Sequence, residues 1–86
     1  MTFQGALIEE QGVTFAIAIV QPHVLYNRGT AHSCALGFVR YFPGRPIVLM
    51  AQDSRGIPTY WGRPDIVDFL SGLHISQIPW KEYTVN

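Results

Sequence analysis

Hydrophobic residues recur with a period of two along residues 13–20, Val-Thr-Phe-Ala-Ile-Ala-Ile-Val. Val13, Phe15, Ile17 and Ile19 fall on one side, and the smaller Thr14, Ala16 and Ala18 on the other. Successive side chains of a strand point to opposite faces of a sheet, so this spacing predicts a β-strand. Both faces are apolar, which assigns the strand to the middle of a sheet. The alanine face lets a helix backbone come close, while the large face fills a core or an interface. Upstream, Phe3 to Glu9 reads as a second strand. The link Glu9-Glu10-Gln11-Gly12 supplies, in Gly12, the positive φ that a short hairpin loop needs.

A second hairpin follows the same logic. Residues 46–52, Pro-Ile-Val-Leu-Met-Ala-Gln, form an apolar run of strand length, and Asp53-Ser54-Arg55-Gly56 places Asp and Gly where a type I turn uses them. Ile57 to Trp61 returns as the partner strand. Pro58 cannot donate a ladder hydrogen bond, so this strand belongs at an edge or carries a bulge. Next comes a helix start: Pro64 suits the first helical position, and Asp65 and Asp68 sit near the positive end of the macrodipole. Ile66, Phe69, Leu70 and Leu73 form one stripe at i, i+3, i+4 and i+7, and Gly72 and His74 suit the C-terminal end. From Trp80 onward the tail alternates well enough for a final short strand.

Thr30 to Phe42 admits two readings. As a helix it starts from a Thr30 cap and sets Ala31, Cys34, Ala35, Phe38 and Phe42 along one face, with Gly37 costing about 1 kcal/mol relative to alanine. As a strand it runs from Cys34 to Tyr41. The distance between the hairpins favours the helical crossover. The two halves share an order of strand, glycine-ended turn, strand and X-Pro helix start, which convergence on the same turn chemistry explains better than duplication. The expected fold is α+β, a single domain over residues 1–86 in ββα-ββα-β order, with a mostly antiparallel sheet and two helices packed on one face.

Composition adds a constraint on the surface. Of the 86 residues 48% are hydrophobic and only 14% charged, so a small domain has few charges with which to cover its outside. Self-association, as a homodimer or small oligomer, is the expectation. Six basic and six acidic side chains leave a formal net charge of zero. Without a long-range positive field, nucleic acid is not the expected partner. A single cysteine, Cys34, allows no intrachain disulfide and no CxxC pair, which fits a reducing compartment. No basic and apolar leader opens the chain, and no run reaches the ~18 apolar residues of a membrane span. The expected location is the cytoplasm, away from membranes.

The chemistry-bearing residues are sparse. His32 and Cys34 are two apart, a spacing that does not bring side chains together on a helix, and a buried structural thiol accounts for Cys34. His23, His32 and His74 lack metal-ligand spacing, and no glycine pattern for nucleotide phosphates occurs, so neither a metal nor a cofactor is expected. Asp65 and Asp68 read as helix-start acids. What stands out is the aromatic and cationic content of 58–64 together with the tail. The candidate binding residues are therefore Tyr60, Trp61, Arg63, Trp80 and Tyr83, types that dominate binding hot spots. The expected function is a non-enzymatic interaction domain that presents a sheet edge or an aromatic surface to a protein or peptide. The alternative is a small-ligand or enzymatic pocket near Tyr60, Trp61 and Arg63.

Overall fold

The computed structural model describes residues 2–85. Strand β1 (Thr2–Glu10) turns into β2 (Val13–Ile19) through Gln11 and Gly12 alone, with φ of 51° and 80°. Two successive positive φ values match the right-handed twist of a tight hairpin, and Gly12 takes its value without steric cost. Strand β1 is longer than the sequence pattern implied by one residue at each end, and the hairpin closes on the Glu10–Val13 pair.

Strands β3 (Ile47–Gln52) and β4 (Pro58–Trp61) form the second hairpin. Asp53 closes it, its Oδ1 accepting from the backbone N–H of Arg55 at 2.8 Å and of Ile57 at 3.0 Å. Strand β5 (Lys81–Thr84) completes a five-stranded sheet of order β4-β3-β2-β1-β5. Every neighbour is antiparallel except β2 and β3, which run parallel. A parallel pair needs a crossover, and helix α1 (Arg28–Phe38) provides it. Residues 30–38 are therefore helical, as the spacing between hairpins favoured. The cap is Asn27 rather than Thr30: its Oδ1 accepts from the N–H of Gly29 at 2.8 Å and of Thr30 at 3.2 Å. The helix ends at Phe38, and a 3-10 turn over Val39–Tyr41 carries the chain to Phe42, which is buried.

Helix α2 (Pro64–Ser71) begins at the expected proline and buries Ile66 and Leu70, with Phe69 and Leu73 packed beside them. His74 does not cap it. Instead His74 Nδ1 accepts from the N–H of Ser76, and Gln77 Oε1 accepts from the N–H of His74, so together they start a following 3-10 turn.

The chain is thus α+β in the expected order, but the two helices do not share a face. Ile66 and Leu70 of α2 pack with Phe15, Ile17, Val48 and Met50, whereas Ala31 and Ala35 of α1 pack with Ala18 and Leu49. Those strand residues alternate in parity, so they lie on opposite sides of the sheet. The reason is in β2 itself: with both of its faces apolar, two helices on one side would leave the other face in water.

A second cluster closes the β1–β5 edge, on α1's side. The Phe3 ring stacks on Tyr83 with centroids 5.1 Å apart and meets Phe38 edge-on at 4.9 Å, while Phe42 stands 5.2 Å from Tyr83. Gly5 makes room for it: a Cβ there would stand 2.8 Å from the carbonyl oxygen of Ile17 and 3.3 Å from both the Phe3 and Tyr83 rings. In contrast a Cβ on Gly37, in the last turn of α1, meets nothing within 4 Å. Gly5→Ala is expected to destabilise by about 1–3 kcal/mol, because the nearest obstacle is backbone, and Gly37→Ala to stabilise by about 1 kcal/mol. Chemical denaturation of the two variants checks both signs. An unchanged midpoint for Gly5→Ala would show that the β1–β2 ladder can shift to admit a methyl group.

Candidate functional site

The end of β4 presents alternate residues to opposite faces of the sheet. Trp61 pairs with Leu49 in register and therefore lies on α1's side, while Tyr60, opposite Met50, lies on α2's side. Arg63 follows in extended conformation, φ −60° and ψ 128°, as a residue before proline must. Its guanidinium is held: Nε donates to Asp65 Oδ1 at 2.8 Å and Nη2 to Oδ2 at 2.7 Å. As a candidate binding residue Arg63 therefore does not offer a free two-pronged face to a partner's carboxylate, since Asp65 already takes it. Through these bonds Asp65 is held at about 2, below the ordinary carboxylate value, and Arg63 is pushed up from its own.

The five candidate residues do not converge on one site. Tyr60 and Trp80 belong to the α2 side, where the Trp80 indole N–H donates to the carbonyl of Ile75 at 3.1 Å and locks the approach to β5. Tyr83 lies on the opposite sheet edge, within the Phe3 cluster. Only Trp61 and Arg63 come together, on the rim of a cleft between α1 and the β4 edge.

That cleft has a volume of about 640 Å³. Helix α1 contributes Arg28, His32 and Leu36, spaced four residues apart along a single stripe, and Val39 follows beyond the helix end. The opposite wall is Trp61 with Arg63, and the floor toward β3 is Ile47, approached through Arg45. The His32 ring meets Trp61 edge-on at 6.3 Å. Leu36 is 59% exposed and Val39 41%, large apolar side chains left in water where the buried stripe of α1 is alanine. None of the lining side chains is acidic, and none is a hydroxyl or thiol. Cys34 lies instead in the cluster beneath α1, where burial pushes its thiol up and so away from the reactive thiolate.

Inspection of the sequence missed Arg28, Leu36 and Val39. A usable signal was present: on a helix whose buried positions are small, a leucine four residues beyond a histidine on another stripe has to lie outside the core.

Among the described residues no group of three or more His, Cys, Asp or Glu is placed to hold a metal ion, and no helix is long and apolar enough to cross a membrane. No family model, no curated protein and no solved structure matches the chain, so the class it can be assigned is structural: an α+β domain with a cationic, apolar cleft beside one sheet edge.

Two measurements probe this region. The Tyr60 hydroxyl is buried and, among the described residues, makes no hydrogen bond. An unpaired buried hydroxyl costs about 1–3 kcal/mol, so Tyr60→Phe is expected to raise the melting temperature, and a lower one would show that the oxygen has a partner. For Asp65 the folded value lies below the ordinary carboxylate value of 3.8, so its contribution is complete above that value and is lost as pH falls toward 2. A carboxyl titration followed by NMR should find its midpoint near 2, and a midpoint near 3.8 would show that the pair with Arg63 is broken in solution.

Proposed function

We propose that this chain is a non-enzymatic interaction domain whose working surface is the α1–β4 cleft, and that it takes a segment of another protein there. The observation that carries this reading is the pairing of exposed Leu36 and Val39 with the half-buried Trp61 around one cleft. Large apolar side chains left in solvent around an aromatic anchor are what protein interfaces are built from. The polar lining supports binding over catalysis: its side chains are guanidiniums and one imidazole, with no hydroxyl, thiol or carboxylate among them for the imidazole to work with.

The free sheet edges are weaker candidates. Both β4 and β5 are four residues long, and β4 starts at Pro58, so either offers few backbone groups to an added strand. Self-association through the cleft is disfavoured by charge, since a two-fold contact would set Arg28 and Arg45 of one copy against the same residues of the other. A small anionic molecule is the second reading, favoured by a cleft volume within the range of ligand sites.

Leu36→Glu is the cleaner test. Trp61 is packed partly into the core beneath α1, so truncating it would mix lost stability with lost binding, whereas Leu36 is on the surface. The variant should keep its stability within about 0.5 kcal/mol. Sedimentation of the unaltered chain at tens of micromolar should give a monomer. A dimer that Leu36→Glu dissociates would replace the partner-protein reading with self-association.

A further inference from the structure

Resting on the reading of the α1–β4 cleft as a docking surface, we infer that its occupant is a peptide segment with an apolar centre and acidic residues toward both ends. The warrant is charge complementarity along the length of the cleft. Arg28 is the first residue of α1, and Arg45 lies beyond that helix's C-terminal end, next to the start of β3. Eleven residues of helix separate the two ends, about 16 Å at the rise of an α-helix. Among the described residues neither guanidinium makes a side-chain hydrogen bond or an ion pair, and each is exposed.

A strand-like peptide of about five residues, advancing about 3.3 Å per residue, matches that length and sets one acid at each end, where a single phosphate or carboxylate would need both arginine side chains to lean inward. Between the two arginines the wall is Leu36, Val39 and Trp61, which suits aliphatic or aromatic side chains at the centre of that peptide. Arg63 adds no third demand for an acid, because Asp65 already satisfies its guanidinium.

A continuous polyanion fits less well. Glu10 and Asp65 share the hollow adjoining the Arg63 end, and a nucleic-acid backbone entering there would meet carboxylates as well as cations. The chain's zero net charge supplies no field to offset them. The cleft also offers one aromatic platform where single-stranded nucleic acid uses several. A peptide carries its acids at discrete positions and can leave that hollow empty.

The test uses the full 86-residue chain, isotope-labelled, and an acetylated, amidated peptide Glu-Glu-Leu-Phe-Leu-Glu-Glu, with its Gln-for-Glu counterpart as control. The acidic peptide should move the methyl signals of Leu36 and Val39 and the indole signal of Trp61. The Gln peptide should bind at least tenfold more weakly, and Arg28→Glu with Arg45→Glu should remove the same factor while the melting temperature stays unchanged. Added salt should weaken the acidic peptide alone. Equal binding of both peptides in the cleft would overturn the acidic specificity and leave the docking surface standing. If neither peptide moves the cleft signals at millimolar concentration, the acidic occupant and the docking surface both fall. A thymidine decanucleotide that displaces the acidic peptide at equal concentration would overturn the peptide in favour of nucleic acid.

Discussion

The two-sided burial of β2 is the constraint from which the rest of the architecture follows. Phe15 and Ile17 are buried on one side of that strand, and Ala16 and Ala18 on the other. A strand apolar on both faces cannot sit at a sheet edge or face water, so it needs a neighbour on each side and a helix above and below. The hairpin turn supplies β1 as one neighbour. The other, β3, is parallel, and the chain can reach it only by a crossover long enough to include α1. Helix α2 then covers the remaining face on its way from β4 at one edge to β5 at the other.

The unequal side-chain sizes on the two faces set the two helices apart. On the large face, Phe15, Ile17, Val48 and Met50 interdigitate with the wide apolar stripe of α2, Ile66 and Leu70 at its centre. On the small face the contact is alanine on alanine, Ala31 and Ala35 over Ala18, with Leu49 beside them. Small residues let the helix approach the sheet closely, and they use only a narrow part of its circumference. Phe38 finds a place in the Phe3 cluster at the end of the helix, but Leu36, on another stripe of α1, and Val39, just past its end, stay outside the core. Leu36 and Val39 point along the flank toward β4, so the cleft is a consequence of how α1 is seated rather than a separate feature.

Much of the fold was legible because it is written in short-range chemistry. The strand at 13–20, the glycine turns at Gly12 and Gly56, the edge position implied by Pro58 and the helix start at Pro64 each depend on a few neighbouring residues. The face each helix covers depends instead on how the strands are ordered, which local pattern does not contain. That the large and the small sides of β2 each needed cover was available, yet one-sided packing of both helices contradicts it. The candidate site suffered similarly. Tyr60, Trp61, Trp80 and Tyr83 look alike as aromatic residues near the chain's second half, but strand parity divides Tyr60 from Trp61, and the sheet's width divides Trp61 from Tyr83. Arg28 and Arg45 were invisible as a pair because sixteen positions of sequence lie between them, and the crossover brings them to the two ends of one groove.

Net charge concealed the same arrangement. Six cations and six anions cancel over the whole chain, yet three of the arginines line one cleft whose lining includes no acid. Arg63 differs from the other two in kind. Bonded in two places to Asp65 in the first turn of α2, it belongs to the junction between β4 and that helix, and its charge is answered where it arises. Arg28 and Arg45 are exposed, and among the described residues no side chain answers their charges. An exposed guanidinium is inexpensive to leave unpaired, so stability gives no reason for the two to flank an apolar wall. The proposed recognition of a peptide would: a carboxylate brought to either end would gain a charged hydrogen bond while the middle of the ligand would remove Leu36, Val39 and Trp61 from water. In that reading the apolar contact supplies affinity and the two separated charges fix register, a division of labour that neither feature provides alone.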